Sequence, residues 1–149
     1  MLYLTIKFVH VVLVAVAIGA NVTYGVWFAA AQSNPSFAPL ALRRIKFIDD
    51  AIANPAYVLL LPTGAAMVAL GHVGFGTRWV SWAMGLWVIA IVLAYGLYSP
   101  TLKAQIAAID AEGPAGSSAT ALATRGQLVA GVLAVLVLAI VVLMVFKPT

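Results

Sequence analysis

From Phe8 to Ala31 the chain reads FVHVVLVAVAIGANVTYGVWFAAA, a run without a single Asp, Glu, Lys or Arg. Wound as an α-helix rising about 1.5 Å per residue, it is long enough to cross the roughly 30 Å of hydrocarbon in a bilayer. A helix apolar on every side has no stable place in water, so the stretch predicts a membrane span. Lys7 ahead of it and Ala29-Ala30-Ala31 at its end resemble a secretory signal with a small-residue cleavage site. The apolar run is far longer than the core of such a signal, and the expectation is a retained span.

Three further stretches have the same character: Ala51 to Gly71, Val80 to Tyr98 and Leu128 to Phe146. Over all 149 residues, 64% are hydrophobic and 8% charged, with mean hydropathy +1.10. A soluble domain carries about a quarter charged residues, so too little polar surface exists here to coat one. The reading is all-α: one integral membrane domain over residues 1–149, a four-transmembrane-helix up-down bundle in the lipid bilayer. Tyr3, Trp79 and Trp82 mark one interface, and Trp27, Tyr57 and Tyr98 the other, as alternating span directions require.

The connections are read in turn. Residues 32–50 hold a short interfacial helix between helices one and two, with Phe37, Leu40, Ala41, Ile45 and Ile48 on one side and Arg44 snorkelling. Gly71-His72-Val73-Gly74-Phe75-Gly76 is a tight turn. After Tyr98 the helix continues past Pro100 through Thr101 to Ala111, and Gly113 to Ser118 reads as flexible linker. Pro62 falls inside span two and is expected to kink it, freeing a carbonyl for Thr63 or a neighbouring helix. Asp49 and Asp50 are placed to cap the N-terminus of that span, with Asp50 alternatively paired to Arg43 or Arg44. Small residues four apart (Ala65 and Ala69, Ala90 and Ala94, Ala130 and Ala134) offer close contacts within the bundle or between copies in a homo-oligomer. No internal repeat suggests a transporter of inverted halves.

The net charge of +4 and pI near 9.7 come from basic residues set singly or in short clusters beside the spans. They act as topology signals, and no nucleic acid partner is expected. Arg43, Arg44, Lys46, Lys103 and Arg125 lie on one side, against Lys7, Arg78 and Lys147 on the other. That balance predicts an inner-membrane protein with both termini outside the cytoplasm. The absence of cysteine excludes disulfides, thiolate metal sites, iron–sulfur ligation and covalent haem attachment.

Span one also carries the chemistry. At about 100° per residue, Asn21 lies about 20° from His10 around the helix, Ala17 about 20° the other way, Tyr24 about 40° and Lys7 about 60°. One strip collects every polar group and must face other helices, because an imidazole or carboxamide turned to lipid lacks partners. His10 is open to three readings: haem iron ligand, proton or substrate contact, or interhelical hydrogen bond. His72, the only other histidine, closes span two on the same side of the membrane as His10. Two imidazoles on facing helices are a way for a four-helix bundle to hold haem b, which makes His10 and His72 candidate metal ligands. The alternative for His72 is a solvated turn residue. Asn21 and Tyr24, about 16 to 21 Å along the helix from His10, are candidates for a quinone headgroup or for stitching helix one to a neighbour.

Lys7-Phe8-Val9-His10 opening span one, Gly19 within it, Asp50 before span two, and Pro55 and Thr63-Gly64 inside it carry a resemblance. On these residues the chain resembles the bacterial predicted integral membrane protein family known as domain of unknown function 2269. More remotely, a histidine early in the first span is similar to the copper-resistance protein D-like membrane proteins and the small haem-binding protoporphyrinogen oxidases. That likeness implies a haem b or redox role for His10. The chain departs from the oxidase pattern in lacking a Trp-rich and Gly-Gly stretch after the histidine, and it has no Met or Cys clusters for copper transport. The expected function is therefore a haem b-binding redox, electron-transfer subunit working with a quinone or a larger membrane complex. The alternative is a non-catalytic accessory or anchor subunit, packed on such a complex through spans one and four.

Overall fold

The computed structural model describes residues 1–148. Six helices carry the chain: α1 (Leu2–Ser33), α2 (Ala38–Ile48), α3 (Asn54–Leu70), α4 (Arg78–Leu93), α5 (Ser99–Glu112) and α6 (Ser117–Phe146). No strand occurs among the described residues. The four expected spans fall on four long helical stretches, 2–33, 35–70, 78–112 and 117–146, each long and apolar enough to cross a membrane; only Gly71, the last residue of the second expected span, lies beyond its helix. This is the expected helical membrane bundle.

Two of those stretches are compound. A π-helical turn, Asp49–Ala53, joins α2 to α3, and a second, Ala94–Tyr98, joins α4 to α5. The helix expected between spans one and two thus exists as α2, and it runs into span two with no non-helical residue between. Its buried face is Ala41, Leu42 and Ile45, set against α1 and α5, while Arg44 is exposed. With no free helix N-terminus at Asp49, neither aspartate acts as a cap. Asp50 pairs instead with Lys46, one turn back, and Arg43 reaches Asp110 on α5 at 2.7 Å. The linker after α5 is also shorter than expected. Gly113 takes φ of 81°, a left-handed conformation that glycine adopts without penalty, and α6 begins at Ser117.

The helices pair unevenly. Within the membrane α1 packs along α3, and α4 packs along α6, but neither α1 with α6 nor α3 with α4 forms a comparable seam. The two pairs are tied together at one end, where α1 meets α2, α2 meets α5 and α5 meets α6. There Tyr24, Leu42, Ile45, Ala53, Tyr98, Leu102, Ile109 and Ala119 make one buried cluster. At about 1.5 Å per residue α1 and α6 run well beyond 30 Å, so this packed head stands at and past the membrane boundary. Toward the other end the pairs lie apart, joined by the short turn after α3, while a cation–π contact of Lys147 Nζ, 5.6 Å from the Trp79 ring centre, ties α6 to α4 within their own pair.

Candidate functional site

Between the two helix pairs lies a cavity of about 450 Å³, within the size range of cofactor and small-ligand sites. It runs along the membrane half from Tyr3, Lys7, Trp79 and Lys147 at the open end to Tyr24, Asp49, Tyr57 and Tyr98 under the head. Most of its wall is aliphatic. The polar strip foreseen on helix one supplies several of the exceptions: Lys7, His10, Asn21 and Tyr24 all line it. Ala17, at the centre of the strip, is buried.

Each polar member of the strip within the span meets span two. His10 Nδ1 lies 2.8 Å from Thr63 Oγ1, Asn21 Nδ2 donates to the Tyr57 hydroxyl, and Tyr24 Oη donates to Asp49 Oδ1 at 3.3 Å. The direction of the His10 contact follows the imidazole tautomer. Thr63 has one hydroxyl proton, and the backbone carbonyls of Leu59 (2.7 Å) and Leu60 (3.1 Å) are both in range to accept it. In that arrangement Thr63 accepts from Nδ1–H, and Nε2 keeps its lone pair. No hydrogen bond reaches Nε2 among the described residues. This is the arrangement by which proteins orient a histidine to ligate through Nε2. Gly64 completes it: a Cβ there would lie 3.3 Å from His10 Cε1, so the glycine lets the ring lie against α3. Thr63 does not cap the carbonyl freed by Pro62, which belongs to Val58; its bonds go to the next two residues.

His72 is placed elsewhere. It sits in the turn after α3 with a left-handed φ of 54° and does not line the cavity. Gly64 is the α3 residue against His10, and His72 comes eight residues later, about 12 Å farther along the axis. The two imidazoles do not converge on one point, as the pairing of His10 with His72 required. Nor does any group of three or more His, Cys, Asp or Glu among the described residues gather to hold a metal ion.

Sequence reading missed four members of the site. Asp49 looked like a cap, yet it is 6% exposed and accepts from Tyr24 through one oxygen and from the Asn54 side chain, 3.3 Å away, through the other. Tyr57 and Tyr98 looked like interface markers, yet both turn inward to the cavity. Trp87, on the α4 wall, gave no signal at all. The one available clue was register. An antiparallel partner that sets residue 63 beside His10 also sets residues 49–57 beside Asn21 and Tyr24, and these include Asp49, Asn54 and Tyr57.

Comparison with known proteins gives a family and nothing finer. No curated protein and no solved structure matches the chain significantly. Residues 4–148 match the family described as predicted integral membrane protein, DUF2269. From α1 through the last turn of α6, this four-span chain belongs to the DUF2269 family of predicted integral membrane proteins.

Proposed function

We propose that the chain is a haem b-binding redox subunit of the bacterial inner membrane, with His10 as the ligand and a quinone or partner complex exchanging electrons with it. The observation that carries this reading is the free Nε2 of His10, its ring oriented through Nδ1 by Thr63, on the wall of a largely apolar cavity of about 450 Å³. Haem would supply one-electron chemistry, with a potential set by its ligand and by the dryness of its surroundings. The residues around it suit that group. Thr63 and Gly64 hold the imidazole, the aliphatic walls exclude water, and Lys7 and Lys147 line the open end where carboxylate substituents find positive charge. The remote likeness of an early first-span histidine to haem-binding membrane proteins supports the same assignment. The basic residues of the head, Arg43, Arg44, Lys46 and Lys103, support an orientation with the head on the cytoplasmic side and both termini outside.

The test is a reduced-minus-oxidised spectrum of the detergent-purified protein. A Soret band and α-band present in wild type, lost in His10→Ala and retained in His72→Ala, are the expected result. A colourless wild type, expressed where haem is plentiful, overturns the proposal. One observation favours the accessory or anchor reading in that event. Leu128, Val132, Val135, Leu138, Val142 and Val145 are all exposed along α6 at three- and four-residue spacing, a continuous apolar face for another membrane helix. Copurification of a membrane complex, abolished by polar substitution along that face, would establish it.

A further inference from the structure

Two buried side-chain polar atoms have no hydrogen-bond partner among the described residues, Tyr98 Oη and Trp87 Nε1, and both residues line the cavity. An unpaired buried donor is costly. Tyr98 is the more telling of the two. It is 4% exposed and ends one π-helical turn, while Asp49 opens the other. Such turns are rare and concentrate at functional sites. Around them stand a stacked ring pair, Tyr24 and Tyr98, with centroids 6.4 Å apart, and a carboxylate with one donor on each oxygen. A carboxylate has about four acceptor positions, so Asp49 retains capacity for more. The head end of the cavity therefore offers one unused O–H donor and one unfilled acceptor beside aromatic faces.

We infer that this end of the cavity is a binding site for the head group of a membrane-soluble quinone and its quinol. Tyr98 Oη donates to a quinone carbonyl, and Asp49 accepts from a quinol hydroxyl, so the pair serves both redox states. The hydrophobic tail lies along the aliphatic walls and leaves between helices, because neither α1 with α6 nor α3 with α4 closes against the bilayer. An anionic lipid head is poorly served here, since the group it would meet is the Asp49 carboxyl and Lys46 is already paired with Asp50. The quinone deepens the function proposed above, on which haem as its electron-exchange partner rests; the head-group site itself stands on these observations.

The experiment titrates the full-length protein in detergent with a decyl-substituted benzoquinone. Binding is followed by quenching of tryptophan fluorescence and by the rise in unfolding temperature. Tyr98→Phe removes a hydroxyl that bonds to nothing in the protein, so it should leave ligand-free stability unchanged or higher while weakening quinone binding at least about tenfold. Asp49→Asn should weaken binding of the reduced form more than of the oxidised form. Absence of saturable binding overturns the inference, as do wild-type affinities in both Tyr98→Phe and Asp49→Asn. Loss of binding in His10→Ala with retention in Tyr98→Phe also overturns it, by moving the quinone to the histidine end. A colourless protein that binds quinone through Tyr98 removes the haem and keeps this site; a haem protein without saturable quinone binding does the reverse.

Discussion

The head and the membrane half of this protein are built from the same four helical stretches, yet they are packed by opposite rules. In the head, Ala41, Leu42, Ile45 and Ala53 are almost wholly buried, and α1, α2, α5 and α6 close on one cluster. In the membrane half the fully covered side chains are mainly alanines on single helix faces, and a cavity takes the place of a core. Water explains the difference. At the head, apolar surface left apart would be wetted, and burial is worth about 25 cal/mol per Å². Between helices in lipid that drive is missing, because the tails are as apolar as the side chains, so a gap costs lost dispersion contacts but no hydration. The hollow is thus tolerated where a site is wanted, and the head holds the two pairs in position around it.

The sharpest way to break this contrast is truncation in each half. Leu42→Ala, at a site 1% exposed, should cost about 2–5 kcal/mol in denaturant or thermal unfolding in detergent, whereas Leu138→Ala on the lipid face should cost a small fraction of that. Equal losses would show that the head is not the main source of stability. The converse substitution is next in size. Ala53→Leu, in the filled head, should destabilise by about 1–3 kcal/mol, while Ala90→Leu, on the cavity wall, should be neutral or stabilising. Destabilisation by Ala90→Leu comparable to that of Ala53→Leu would mean that the cavity is not open space.

A third substitution separates stability from function within the hollow half. Thr63→Val removes the hydrogen-bond partner of His10 Nδ1, and hydrogen bonds between membrane helices average about 0.6 kcal/mol, so the unfolding midpoint should move little. With haem bound as proposed, its retention during dilution or dialysis should nevertheless fall about tenfold to hundredfold, because the imidazole is no longer oriented. An unchanged haem affinity would argue that Nε2 is not the ligating atom. The smallest effect belongs to the head's surface. Arg43→Ala breaks an exposed ion pair with Asp110 and should cost less than about 1 kcal/mol, vanishing in high salt.

Much of the architecture was legible, and the site was half legible. The polar strip on α1 could be read because a single helix obeys its own angular period, and His10, Asn21 and Tyr24 do face span two. The partners could not be read from α1. The neighbours of Asp49 point to a helix start, and only the continuous helix from residue 35 to 70 makes it an interior residue. Depth alone pairs His72 with His10, whereas register sets Thr63 and Gly64 against the imidazole and carries His72 beyond it.

What the sequence determined by itself is everything that depends on one segment at a time: four helical spans, their alternating direction and the helical continuation after Tyr98. In hydrocarbon each segment must satisfy its own backbone hydrogen bonds, which leaves a long apolar run no choice but helix. What only the tertiary structure decided is which helices touch: α1 with α3, α4 with α6, and a cavity between the pairs. Those contacts depend on the fit of side chains far apart in the chain. In lipid, that fit has no hydrophobic pattern to announce it.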